Sequence, residues 1–317
     1  MNTKHKVLFI DSAHPFLRDQ LETMGFVCEA FEEKNPEFYR QIANQYVGFV
    51  VRSKIRLDET ILPLATQLKF IARVGAGMEN IDVTLAEKLG IVCLNAPEGN
   101  RDAVGEQAVG MLLSLLNKLP QVDREVRLGI WKRTENRGTE IKGKTIALIG
   151  YGNTGSAVAR KLSGFEAEIL AYDKYKSGFS NSFVKEATMD EIFERADIVS
   201  LHIPLTPETD YLVDRAFLSR FKKPVVLINT SRGRNVNTTD LIAAMKSGKV
   251  TGACLDVLEF EKFSFEDLKA DALPDAFREL LALPNVLLSP HIAGWTHESH
   301  FKLSAVLVEK IKNLKLI

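Results

Sequence analysis

Residues 144–162 read KTIALIGYGNTGSAVARKL, and the fold follows from how this stretch is parsed. An apolar, β-branched run ends at Ile149. Gly150, Gly152 and Gly155 then form a GxGxxG turn, and Ala157, Val158 and Leu162 fall on one face of a following helix. Glycines in that pattern allow a tight turn and close approach of the backbone to a pyrophosphate. The helix N-terminus adds unsatisfied N–H groups and the positive end of its dipole. Taken alone the pattern is weak, because glycines also simply turn chains. Its context is what matters: a strand before, a helix after, and a second strand, EILAYD, ending in Asp173. An acidic residue about 20 positions on is what recognition of a ribose 2′-hydroxyl requires. A carboxylate there repels a 2′-phosphate, so the expected dinucleotide is NAD rather than NADP.

Outward from this turn the same alternation repeats. KVLFI (6–10), VGFVVR (47–52), FIARV (70–74) and IVCLN (91–95) precede it; IVSLHIP (198–204), VVLINT (225–230), ACLDV (253–257) and VLLSP (286–290) follow. Between most of them lie segments of helical spacing such as TMDEIFERA and TTDLIAAMKSGK. Continuous apolar strands alternating with helices mean parallel sheets covered on both faces. The strands are too many for one doubly wound sheet, so two are expected. The natural break lies in APEGNRDAVGEQAVGMLLSLLNKLP (96–120), where a turn-rich piece precedes a helix from about Ala103 that is apolar nearly all round. Such a helix is buried on several sides, within a core or as a connector between domains or subunits. GIWKRTENRGTEIKG (129–143) after it reads as a surface loop.

At 317 residues two domains are the default. Lys and Arg together number 41, as do Asp and Glu, so no net field draws nucleic acid or an anionic membrane. The amino-terminal apolar run is too short for a signal peptide or a spanning helix. Cys28, Cys93 and Cys254 are scattered and odd in number, which argues for reduced thiols and a cytoplasmic protein.

Ligands of open α/β sheets bind beyond the carboxyl ends of the strands. His202, Pro204, Thr206 and Thr209, then Thr230, Ser231 and Arg232, then Asp256, all stand at such ends. For any one of them a capping or turn role is the plainer explanation; as a series they outline a crevice. Arg232 could be a surface arginine or a fixed guanidinium that grips a carboxylate with two prongs, which lysine cannot copy. Glu259 and Glu261 sit in an acidic loop and mean little by themselves. With His291 in SPHIAGW they gain value, because a carboxylate on one imidazole nitrogen fixes the tautomer and lets the other nitrogen deliver a proton. His297 and His300 are helically spaced but lack a third ligand, so they read as a solvated helix face and no metal site is expected.

RVGAGMENIDV, GKTIALIGYGNTG, LHIPLTPET, LINTSRG, CLDVLEFE and SPHIAGWT together resemble the D-isomer-specific 2-hydroxyacid dehydrogenases, and within them the phosphoglycerate-acting branch, over nearly the whole chain. The resemblance implies an α/β protein of two doubly wound parallel-sheet domains. One would be a Rossmann nucleotide domain over 100–289, the other a discontinuous flavodoxin-like substrate domain over 1–99 and 290–317, with His291 at the hinge. It implies catalysis by Arg232, Glu261 and His291, with Glu261 orienting the histidine. Gly150, Gly152, Asn153, Thr154 and Gly155 would meet the pyrophosphate and Asp173 the ribose. Thr230 and Asp256 would face the nicotinamide, and His202, Pro204, Thr209, Ser231 and Gly294 would complete the cofactor site. Gly75, Ala76, Gly77 and Asn100 would receive a small-molecule 2-hydroxy or 2-keto acid. Arg52 and Ser53 match a basic turn for a substrate phosphate, the alternative being an ordinary strand-end charge cluster. A homodimer built on the long apolar helix is implied, and feedback by serine through a carboxyl-terminal regulatory domain is not expected. Departures are Lys262, where the family usually has proline, the long aromatic loop after it, and Arg101, where a small hydroxyl residue is usual. Within this frame D-3-phosphoglycerate is the first expected substrate and glyoxylate or hydroxypyruvate the runner-up. A protein that binds NAD(H) as a sensor is the reading from another class.

Overall fold

The computed structural model describes residues 5–33, 35–261 and 273–317. The chain divides into two compact units, Met1–Arg101 with Trp295–Ile317, and Asp102–Gly294. The first begins with β1 (Lys6–Phe9), α1 (Pro15–Thr23), β2 (Val27–Ala30), α2 (Pro36–Ile42), β3 (Gly48–Val51), β4 (Phe70–Arg73), α3 (Val83–Lys88) and β5 (Val92–Leu94). Its strands pair in parallel in the order β2-β1-β3-β4-β5, the flavodoxin arrangement. Helix starts are set locally: Asn35 and Asp82 accept N–H groups of the first turns of α2 and α3, and Pro15 and Pro36 supply a preset φ. Strand side chains alternate between two cores. Leu8, Phe49, Val51 and Ile71 enter one; Val7, Phe9, Val50, Phe70 and Ala72 enter the other. That period of two explains why the strands read as unbroken apolar runs.

Helix α4 (Pro97–Leu116) contains the boundary between the units. It starts earlier than the sequence suggested: the turn-like residues before Ala103 are its first turns. Gly99 is there for packing, since a Cβ at that position would stand 2.6 Å from the backbone nitrogen of Leu303. A second difference is α5 (Leu119–Arg127), entered through Lys118 at φ 54°. It has no buried residue, so its spacing carried no core signal.

The second unit continues with β6 (Thr145–Ile149), α6 (Asn153–Leu162), β7 (Glu168–Tyr172), β8 (Lys185–Glu186), α7 (Met189–Arg195), β9 (Ile198–Leu201) and α8 (Arg215–Arg220). Then come β10 (Val225–Asn229), α9 (Thr238–Lys246), β11 (Val250–Leu255), α10 (Asp275–Leu281) and β12 (Val286–Leu288). The order is β12-β11-β10-β9-β6-β7-β8, all pairs parallel. Counting from β6, this is the Rossmann order, extended by one strand, with its reversal point between β6 and β9. Again alternate residues part: Ala147, Ile149, Val225 and Leu227 to one face, Ile146, Leu148, Val226 and Ile228 to the other. Burial of each valine, leucine or isoleucine side chain among these contributes about 1.5–3 kcal/mol. The chain closes with α11 (His297–Lys312), whose Leu303, Leu307, Val308 and Ile311 complete the second core of the first unit.

The break near the carboxyl terminus falls after Gly294 rather than before Pro290. His291 therefore groups with the nucleotide-type unit, because β11 and the residue after it hold the 289–293 segment by hydrogen bonds. The His297–His300 pair differs from expectation too. His297 is exposed, but His300 packs between the ring of His14, at 5.3 Å, and that of Trp295, at 6.2 Å.

Candidate dinucleotide and acid–base site

The glycine turn stands at the carboxyl end of β6. Gly150 adopts φ 94°, and a Cβ there would lie 2.3 Å from the carbonyl oxygen of His202. A Cβ on Gly155 would lie 2.1 Å from the carbonyl oxygen of Gly150, so this third glycine lets α6 close on the strand. Around Gly152 there is open space. The three glycines thus divide the work of turn, open face and helix contact, which is the cradle a pyrophosphate needs. Asn153 and Thr154 open α6 and are half-buried beside that face.

Asp173 directly follows β7 and is already engaged. Its Oδ2 accepts the amide of Tyr151 at 2.8 Å, and its Oδ1 those of Tyr175 and Lys176 at 2.9 and 3.1 Å. The carboxylate ties the glycine turn to its own loop, and retains acceptor capacity for a ribose hydroxyl. Across the reversal point, the Thr209 hydroxyl accepts the amide of Thr206 and donates to the carbonyl of Pro204, at 2.8 and 2.7 Å, so those residues form a stiff loop.

Two buried polar atoms at the ends of β9 and β10, His202 Nδ1 and Thr230 Oγ1, meet no protein hydrogen-bond partner. Leaving such atoms unsatisfied costs about 1–3 kcal/mol each, so they favour a polar ligand group nearby. Ser231, by contrast, turns inward, its Oγ 2.7 Å from Asn229 Oδ1 and 3.0 Å from Asn235 Oδ1. The His202 ring bonds Ser200 Oγ at 2.9 Å, and burial pushes its pKa down to about 4 from 6.5. The unfolded chain therefore binds an extra proton below about pH 6.5. Stability conferred by the neutral ring is complete above that pH and falls progressively as pH drops to 4, by about 3 kcal/mol in all. Urea unfolding across this range is expected to show a shallower decline for His202→Gln than for the parent chain; equal slopes would assign the acid sensitivity elsewhere.

Beyond β11 the reactive side chains gather. His291 Nδ1 lies 2.6 Å from Glu261 Oε2, and Glu261 Oε1 accepts the amide of Leu258. Of the two glutamates, Glu261 meets the histidine. Glu259 accepts the amide of Thr238 at 2.8 Å and bonds the phenol of Tyr211, which it helps to push above its usual range. His291 has φ 55°, a left-handed backbone that is uncommon outside glycine and asparagine. Asp256, 1% exposed, explains how that conformation persists. Its carboxylate accepts Ser289 Oγ and the amides of Ile292 and Ala293, and its carbonyl accepts the amide of His291. Asp256 is thus the builder of the histidine turn, a use that spacing alone did not reveal.

Arg232 follows β10 on a backbone pinned at both ends. Its amide donates to Asn235 Oδ1 at 3.1 Å, and its carbonyl accepts Asn229 Nδ2 at 2.9 Å. A Cβ on Gly233 would stand 2.0 Å from the carbonyl oxygen of Leu258, so the glycine lets this turn approach the segment bearing Glu261. Gly294 closes the same unit. The expectation attached to Lys262 and the loop after it falls at 262–272, outside the described residues. Among the described residues no cluster of metal-ligating side chains occurs.

In the other unit, Arg52 and Ser53 follow β3. The amides of Arg52 and Lys54 donate to Asp11 Oδ2 at 2.6 and 3.2 Å, and the Arg52 guanidinium lies 4.0 Å from the Trp295 ring centre. Gly75, Ala76 and Gly77 follow β4. The Arg73 side chain occupies the space beside Gly75, and Asn95 Nδ2 donates to the Ala76 carbonyl at 2.7 Å. Asn100 Oδ1 is buried without a protein partner, as a ligand-facing amide would be.

Residues 109–293 match the family model of the D-isomer specific 2-hydroxyacid dehydrogenase NAD binding domain. The D-3-phosphoglycerate dehydrogenase of Archaeoglobus fulgidus is 35% identical over 98% of this chain, which spans 57% of that protein's length. The hydroxypyruvate reductase of Thermotoga maritima is 36% identical over 83% of this chain and 82% of its own. The D-lactate dehydrogenase of Aquifex aeolicus, solved with NAD and lactic acid, superposes with a TM-score of 0.84 at 27% identity, covering 97% of this chain and 95% of that one. A Rossmann sheet with its glycine cradle, a flavodoxin-like sheet and these likenesses lead to one assignment: the chain belongs to the D-isomer specific 2-hydroxyacid dehydrogenases.

Proposed function

We propose that the protein is an NAD-dependent dehydrogenase that oxidises D-3-phosphoglycerate at C2 to 3-phosphohydroxypyruvate, a step that would place it in serine biosynthesis. The reaction rests on one observation above all, the 2.6 Å pairing of His291 Nδ1 with Glu261 Oε2. NAD, when bound, supplies the hydride acceptor for oxidation, and NADH the donor for reduction. His291 takes the hydroxyl proton in oxidation and returns it to the keto oxygen in reduction, through Nε2. Glu261 holds the ring through Nδ1 and so leaves Nε2 to exchange the proton. Arg232 grips the substrate carboxylate and polarises the carbonyl beside it. Asp173 selects the unphosphorylated ribose. The Gly75–Gly77 turn and Asn100 offer backbone N–H and amide groups to the substrate, and Arg52 with Ser53 takes its phosphate.

A second reading has its own support. Trp295 lies over the Arg52 guanidinium, and Asp11 already fills amides of the same turn. A phosphate would meet that arginine beside a neighbouring carboxylate, with the amides of Arg52 and Lys54 already taken. An unphosphorylated acid, hydroxypyruvate or glyoxylate, needs neither concession.

Rates of NADH consumption with 3-phosphohydroxypyruvate, hydroxypyruvate, glyoxylate and pyruvate decide between them. Strong preference for the phosphorylated acid supports the first reading and makes Arg52→Ala the next variant. Preference for an unphosphorylated acid keeps the mechanism and changes the substrate. Tight NADH binding without turnover of any acid favours the sensor.

A homodimer agrees with the apolar residues left exposed at and beyond α5: Leu119, Val126, Leu128, Ile130 and Trp131. The three cysteines are unbridged, which suits a cytoplasmic enzyme. No described helix is long and apolar enough to cross a membrane.

A further inference from the structure

The sheet order places β6 between β7 and β9, so any contact between the loops after β7 and β9 passes over the carboxyl end of β6 and its glycine turn. Three side chains make that contact. Lys174 Nζ and Tyr175 OH both donate to Glu208 Oε2, the latter at 3.1 Å, and the lysine ammonium sits 5.6 Å from the Tyr175 ring centre. The backbones they spring from are stiff. Asp173 holds the amides of Tyr151, Tyr175 and Lys176, while Asn235 Nδ2 donates to the Thr209 carbonyl at 3.0 Å and Arg234 pairs with Asp210. Bonding to Lys174, then to Tyr175, holds the Glu208 carboxyl below its usual range.

Lys174 stands where a dehydrogenase that accepts NADP would want a cation, immediately after the ribose-binding position. Lys176 is close by, its Nζ on the Tyr151 carbonyl at 3.3 Å. Asp173 must therefore reject a 2′-phosphate with two lysines beside it and with part of its own charge satisfied by three amides. A single carboxylate so placed is a weak barrier. Glu208 changes the balance, because it occupies the Lys174 ammonium and brings a second negative charge to the adenosine end.

We propose that Glu208 is a specificity-determining residue for the cofactor, selecting NAD over NADP by holding Lys174 away from a 2′-phosphate. The proposal rests on the dinucleotide site described above and goes beyond it, since it sets selectivity with two carboxylates on two loops.

Dissociation constants of NADH and NADPH, measured by nucleotide fluorescence on the full chain, test it. Glu208→Gln is expected to lower the ratio of the NADPH constant to the NADH constant about fivefold, the scale of a surface charge pair lost and a cation released. Adding Lys174→Met to that variant is expected to restore the ratio, and high salt to shrink the difference. An unchanged ratio in Glu208→Gln, or a lowered ratio that persists in the double variant, overturns the proposal while NADH binding by the parent chain leaves the cofactor site standing. Failure of the parent chain to bind either nucleotide overturns both.

Discussion

His291→Asn is expected to lower kcat for keto-acid reduction by about 10²- to 10⁴-fold, the usual worth of a positioned acid–base group. Asparagine is the better replacement because it tolerates the left-handed backbone at φ 55°, where alanine would add strain of about 1–2 kcal/mol. Nucleotide affinity read by fluorescence should stay close to that of the parent chain, since the residues of the glycine cradle are untouched. Glu261→Gln should reproduce part of the loss, because an amide can still meet Nδ1 but offers it a donor as well as an acceptor, and so fixes the ring and its tautomer less firmly. Turnover by His291→Asn near the parent value, across the pH range in which the protein stays folded, would remove the histidine from the mechanism.

Arg232→Lys is expected to raise KM for the keto acid about 100-fold, with a smaller fall in kcat. The cost, about 3 kcal/mol, is that of replacing a two-pronged, charge-assisted carboxylate grip by a point charge. Lysine keeps the charge, so the experiment isolates geometry. The hydrogen bonds from Asn229 and Asn235 fix the backbone on either side, so little rearrangement can compensate. Steady-state rates over a range of keto-acid concentrations separate the two parameters. An unchanged KM would mean that the carboxylate is held by other groups.

The parts of the fold visible in the sequence were those written in apolar periodicity. Both parallel sheets follow from strands whose neighbouring residues enter opposite cores, and the glycine cradle from three positions at fixed offsets. Edge strand β2 and the short β8 lacked such runs, and α5 lacked a buried face. The start of α4 was hidden because Gly99 and Asn100 suggest a turn, whereas Gly99 answers to the backbone of α11 passing close by. At the site, residue types offered His291 with either Glu259 or Glu261, and only the family resemblance preferred Glu261; the fold puts Glu259 on Thr238 and Tyr211 instead. What no offset could show was which partner each carboxylate already has. Asp173 binds three amides and Asp256 binds a whole turn, and both facts depend on segments distant in sequence meeting in space.

The turn built by Asp256 will shape what large-scale mutagenesis of this chain reports. A scan scored on activity alone would rank Asp256 beside His291 and invite the conclusion that both exchange protons. A parallel scan scored on abundance would separate them: most replacements at 256 should deplete folded protein, whereas replacements at 291 that accept a left-handed backbone should leave it intact. The same reasoning applies to any ancestor or homologue read by its letters. An aspartate at this place is a mark of the architecture around the histidine, and its presence says nothing about whether the chemistry still runs.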